Sequence, residues 1–159
     1  MAEFGRMGVD ESDDKMTDLR RVIGAAFTSL QKHADAEVMY ARCASEYTKT
    51  FGLSYTRAIE STYMLASAKG SQGKLAESAR IFEEVAERSK RVLGPEHFIT
   101  LGCQEGLSTV LFRLEKPDEA EAVYQQHSYY EAGAWARPRA CPTIRVHLRK
   151  VHCTRRTIR

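Results

Sequence analysis

The stretch that decides the fold is Lys74 to Phe98, K-L-A-E-S-A-R-I-F-E-E-V-A-E-R-S-K-R-V-L-G-P-E-H-F. Ala76, Ala79, Phe82, Val85, Ala86 and Leu93 recur at three- and four-residue intervals, which gathers them on one side of a long helix. Gly94-Pro95 stops that helix, because glycine accepts the left-handed cap and proline cannot extend the hydrogen-bond ladder. A single helix with a wide apolar face does not fold alone, so the decisive question is whether its pattern recurs.

It recurs at an offset of 42 residues. Phe51-Gly52 coincides with Leu93-Gly94, and Trp135-Ala136 falls at the next equivalent place. Ala36, Ser78 and Ala120 are equivalent small residues, followed four positions on by the aromatics Tyr40, Phe82 and Tyr124. In the preceding helix Ile23, Leu65 and Leu107 are large and apolar, each followed by a small residue: Gly24, Ala66 and Ser108. Between 33–74 and 75–116 the identities are Ala34/Ala76, Ala44/Ala86, Gly52/Gly94, Leu65/Leu107 and Lys74/Lys116 alone. The period is therefore one of side-chain bulk, the property that packing preserves.

This order of large, small and aromatic residues resembles the tetratricopeptide repeat pattern. Ile23-Gly24 with Phe27 is similar to its leucine-glycine-tyrosine element, and Ala120 with Tyr124 to its alanine-phenylalanine element. The 42-residue period and the L-G-P-E-H segment at 93–97 resemble the longer repeats of kinesin light chains and related proteins. HEAT and armadillo solenoids have an overlapping period but fit the small-then-aromatic signature poorly. The resemblance implies an all-α fold, a right-handed α-solenoid of about three antiparallel helix pairs. Expected helices cover about 15–31, 34–51, 55–69, 74–93, 96–114 and 117–135. The expected organisation is a flexible acidic N-terminus at 1–14, a repeat domain at 15–136 and a basic tail or short capping helix at 137–159. In the first helix Met16, Leu19, Val22, Ile23, Ala26, Phe27 and Leu30 draw an apolar stripe.

With 159 residues and 43% apolar side chains, the chain can build a real core. No apolar run approaches the ~18 residues that cross a bilayer, and no secretory signal is visible. A cytoplasmic protein with reduced thiols is the expectation, Cys43 taking a packing position equivalent to Val85. Charge is partitioned sharply. Up to His127 there are 16 basic and 20 acidic residues, whereas from Ser128 onward there are 8 basic residues and only Glu131.

Chemistry-bearing motifs are weak. G-S-Q-G-K at 70–74 looks like the end of a phosphate-binding loop, but Ala68 and Leu75 stand where that loop needs glycine and a hydroxyl, so an inter-helix turn is expected. Cys141, His147, His152 and Cys153 lack the first ligand pair of a structural zinc site. No histidine lies in a catalytic motif, and His97 in the G-P-E-H turn reads as a residue that holds the connection by hydrogen bonding. Glu83-Glu84 reads as a solvated helix face. No enzymatic activity, metal or cofactor is expected.

The resemblance implies function by surface recognition, on a concave face lined by the first helix of each pair. The residues placed there are Arg21, Ala25 and Thr28, then Glu60, Tyr63 and Ser67, then Glu105, Thr109 and Phe112, with Tyr63 and Phe112 as aromatic anchors. The asparagines by which kinesin-light-chain repeats clasp a peptide backbone are absent: Arg21-Val22, Tyr63-Met64 and Glu105-Gly106 occupy those places. The expected partner is another protein or peptide. The alternative is a nucleic acid or anionic surface held by the tail, through Arg145, Arg149, Lys150, Arg155 and Arg156. That tail is open to three readings: a solvated segment, a capping helix carrying Ile144, Leu148 and Val151, or an anion-binding element. Self-association through uncapped repeat ends is a further expectation.

Overall fold

A computed structural model describes the backbone of residues 11–134 and the side chains of 15–125. Among the described residues there are six helices and no strand: α1 Glu11–Ser29, α2 His33–Phe51, α3 Thr56–Ser71, α4 Leu75–Val92, α5 Phe98–Arg113 and α6 Pro117–Ala134. These are the six expected helices, with ends moved by a few residues. The largest shift is at α1, which begins at Glu11, inside the stretch expected to be flexible. Residues 1–10, Trp135-Ala136 and the whole tail from 137, with its arginines and its Cys/His set, lie outside the described residues. The chain divides after Glu77 into two units.

In the first unit α2 packs against both α1 and α3. One cluster joins Ala36, Tyr40 and Ala68, flanked by Phe27, Met64 and Leu65; the next joins Cys43, Tyr47 and Ala58, flanked by Tyr55. The ring of Tyr40 lies on Gly24, where an added Cβ would sit 2.9 Å from its Cε1. A larger residue at that position would displace the ring, which is why the small member of the pattern is needed there. The α2–α3 connection turns at Gly52, whose φ of 86° favours glycine. Tyr47, Phe51 and Tyr55 then meet in tilted contacts across the turn, with Phe51 and Tyr55 centroids 4.4 Å apart.

The G-S-Q-G-K stretch ends α3 and turns at Gln72-Gly73, with no phosphate-binding loop's flanking residues. Gln72 donates to the carbonyl of His33 and to Glu37, and Lys74 Nζ reaches Glu37 at 2.7 Å. This turn ties the end of α3 back to the start of α2.

In the second unit Phe82 of α4 lies over Gly106 of α5. Ile99, Cys103, Leu107, Val110 and Leu111 of α5 are buried, together with Ala79 and Val85 of α4 and Ala120 of α6. Ser108 Oγ donates to the carbonyl of Ala120 at 3.0 Å, which fixes α6 on α5. The bulk pattern therefore corresponds to burial: Ala36, Ser78 and Ala120 are buried, as are Gly24, Ala66 and Ser108. Cys43 and its equivalent Val85 are both at 0% exposure.

One part of the pattern is not core. Met16, Leu19, Val22, Ile23 and Leu30 are all exposed, Leu30 to 66%. The face that α1 turns toward α2 carries Thr17 and Gly24 instead, with Phe27 half-buried. The reason lies in the repeat itself. Leu65, the equivalent of Ile23, packs against Ala36 and Tyr40 of the helix before it. Ile23 has no such preceding helix among the described residues.

Candidate recognition surface

Arg21, Glu60 and Tyr63 stand where α1 and α3 come side by side. Arg21 Nη1 is 3.6 Å from Glu60 Oε1 and Arg21 Nε is 3.7 Å from Asp18 Oδ1. One turn earlier, Arg57 Nη1 donates to Asp18 Oδ2 at 2.5 Å. The pairs 18/57 and 21/60 share a sequence separation of 39, so α1 and α3 run in the same direction in a fixed register. That register sets Thr28 level with Ser67 and Gly24 level with Tyr63. Of the residues expected on these two helices, Arg21 and Glu60 are thus brought into contact.

Sequence reasoning missed Asp18 and Arg57, which organise this face, because its repeat offset was 42 while the spatial register is 39. Tyr47 of α2 supports them from below, its hydroxyl donating to Asp18 Oδ1 at 2.6 Å. Burial, and then the Asp18 carboxylate, push the Tyr47 phenol well above its ordinary value, so it remains a donor. At the edge, Thr17 Oγ1 and Arg20 Nη1 both donate to Glu46 Oε2, at 2.8 and 2.7 Å. The result is a lattice of three arginines and three carboxylates. Each side chain is partly open to water, so each pair contributes only a few tenths to about 1 kcal/mol. Charge is balanced and the geometry is held, but the pairs can be exchanged for those of a partner at little cost.

Thr28 is exposed and turned back on its own helix, donating to the carbonyl of Gly24 at 3.0 Å, with the Tyr40 hydroxyl 3.3 Å away. Ala25 and Ser67 are exposed, and Tyr63 is half-buried. In the second unit Glu105, Thr109 and Phe112 are all half-buried on α5, and Thr109 Oγ1 donates to the Glu105 carbonyl at 2.9 Å. The tail residues Arg145, Arg149, Lys150, Arg155 and Arg156 lie outside the described residues.

Among the described residues no group of three or more His, Cys, Asp or Glu side chains is placed to hold a metal ion. Cys43 and Cys103 are free and buried. Burial raises their thiols to about 11 and about 12 respectively, with Glu46 adding to the effect at Cys43. Neither is a reactive thiolate. No helix among the described residues is long and apolar enough to cross a membrane.

Comparison with known proteins now bears on this geometry. Residues 58–128 match the family model of the tetratricopeptide repeat. That stretch is similar to tetratricopeptide repeats. Two solved structures, both of nearly identical TPR-like repeats from Podosopora anserina, in a protein provisionally assigned as a kinesin light chain, share the fold with a TM-score of 0.63 each. One is a point variant, 19% identical over 74% of this chain and 55% of the solved one. The other is 18% identical over 76% and 57%. This chain thus spans a little over half the length of the solved chains it matches. No curated protein matches the chain. Tetratricopeptide repeats generally mediate protein–protein interaction and are typically non-enzymatic scaffolds.

Proposed function

We propose that this tetratricopeptide-repeat chain is a protein-interaction module that takes a peptide or protein partner on the face formed by the first helix of each pair. The observation that supports this most directly is the Asp18–Arg57 and Arg21–Glu60 lattice beside Tyr63. A partly solvated, charge-balanced lattice next to a rigid aromatic suits a segment that carries both charge signs and one side chain to seat against the ring. Such a partner gains affinity from the aromatic anchor and orientation from the exchanged ion pairs. Glu105, Thr109 and Phe112 are the repeat equivalents on α5 of the second unit.

The test is capture of protein partners by the immobilised full chain, compared with Tyr63→Ala and Arg21→Ala. Loss of a specific partner by about tenfold or more in Tyr63→Ala, with unchanged helical circular dichroism, is the expected result. Capture that survives both substitutions but disappears on truncation after Ala136 would move the site to the basic tail. The eight basic residues there favour that second reading, and binding through them should fall steeply with salt. Equal capture by all variants removes the α1–α3 face as the site.

A further inference from the structure

The outer face of α1 inverts the usual order of a surface helix. Its charged and polar residues, Thr17, Asp18, Arg20 and Arg21, are engaged with α2 and α3. Its large apolar residues face outward, Met16 exposed to 49%, Leu19 to 52% and Ile23 to 38%. With Ala26 and Leu30 they follow a strict three-four-three-four spacing, and Val22 lies alongside. That spacing makes a continuous seam about 20 Å long at ~1.5 Å per residue, the pattern by which one helix packs lengthwise on another. A lone exposed leucine is ordinary, whereas a contiguous apolar row marks a candidate contact surface.

We propose that this face is the contact between two copies of the chain, α1 against α1 across a two-fold axis, with the helices antiparallel. A two-fold contact sets like against like, and a uniformly apolar seam with no charge in it is self-complementary. Charge fixes the direction. The helix begins with Glu11, Asp13 and Asp14, has no basic residue in its last turn, and is followed, after Leu30 and Gln31, by Lys32. A parallel pair would set the acidic starts side by side. An antiparallel pair centred near Ile23 sets each acidic start beside the partner's Lys32, and the opposed helix dipoles also favour it. Six side chains of this size, each roughly half exposed, offer about 400–500 Å² per copy. The total of about 800–1,000 Å² is at the lower end for specific association. The dimer is therefore a weak one, dissociating in the micromolar range.

Sedimentation of the full chain over about 1–300 µM tests this. The expected mass rises from that of the 18.0 kDa monomer to twice that value and stops. Leu19→Glu with Ile23→Glu should hold the chain monomeric across the series, with unchanged helical circular dichroism because both positions are exposed. Lys32→Glu should weaken the dimer several-fold, and Asp14→Lys added to it should restore it. A monomer throughout, association that persists in the Leu19→Glu/Ile23→Glu variant, or masses that climb beyond two copies would each overturn the proposal. Lack of response in both charge variants would overturn the antiparallel pairing.

Discussion

Glu37 is the most strongly perturbed carboxylate that the structure holds in place. Lys69 and Lys74 lie at 2.8 and 2.7 Å, and Gln72 Nε2 donates at 2.6 Å. The hydrogen bond from Lys69, and then that from Lys74, pull its carboxyl down to about 2 from an ordinary value near 4.5. A folded-state value below the unfolded one means that the stabilisation is complete above about pH 4.5. It is lost as the pH falls toward 2. The full shift would correspond to about 3 kcal/mol. Water reaches Lys74, so about 1–2 kcal/mol is the expected cost of Glu37→Gln at pH 7. Urea unfolding of both proteins should show this gap at neutral pH and its closure between pH 4.5 and 2; a gap independent of pH would contradict the assignment. Lys69 shifts upward for the same reason, with Glu37 its first partner and Glu77 its second. Its contribution is present below its ordinary value and fades only in strong alkali.

At the scale of elements, α5 shows how packing overrides propensity. Its sequence, F-I-T-L-G-C-Q-E-G-L-S-T-V-L-F-R, holds two glycines and several β-branched residues, a poor helix by itself. Burial of Ile99, Cys103, Leu107, Val110 and Leu111 sustains it, and its start is fixed by His97. His97 Nδ1 accepts the Ile99 amide at 3.2 Å, while Thr100 Oγ1 donates to the Gly94 carbonyl at 2.8 Å. The role read for His97 in the G-P-E-H turn is therefore the one it plays. His97→Ala should cost about 0.5–1.5 kcal/mol in urea unfolding, and His97→Asn, which keeps a side-chain acceptor, should recover most of it. Equal losses in the two variants would mean that the ring, not the cap, matters. The elements were legible because bulk at a 42-residue period is what a repeated helix pair conserves; Ala36, Ser78 and Ala120 all proved buried. Two things were not legible. Periodicity shows that α1 has an apolar face at Met16, Leu19, Ile23 and Leu30, but not whether a helix exists to cover it. Nor does a repeat length give the register of helices two elements apart, and the Asp18–Arg57 pair was hidden for that reason.

Across the molecule, local stability should follow where large side chains are buried. From the described side chains α1 contributes only Thr17 and Gly24 to the fully buried set, whereas α3 and α5 contribute long rows. What holds α1 is one aromatic on Gly24, half-buried Phe27, the hydrogen bonds of Thr17 and Asp18 to α2, and partly solvated ion pairs. Solvated pairs resist opening far less than buried methylenes do. Amide exchange in dilute protein should thus proceed through openings of α1 that are about 1–3 kcal/mol easier than those of α3 or α5, or roughly 10- to 100-fold faster. The same measurement at several hundred micromolar joins this expectation to the proposed dimer. A contact along the outer face of α1 adds protection there by mass action and leaves α5 unchanged. Slowing confined to α1 is what a two-fold α1 seam requires. Slowing in α6 instead would place the contact at the other end of the described chain, and α1 would then owe its exposed row to something other than a second copy.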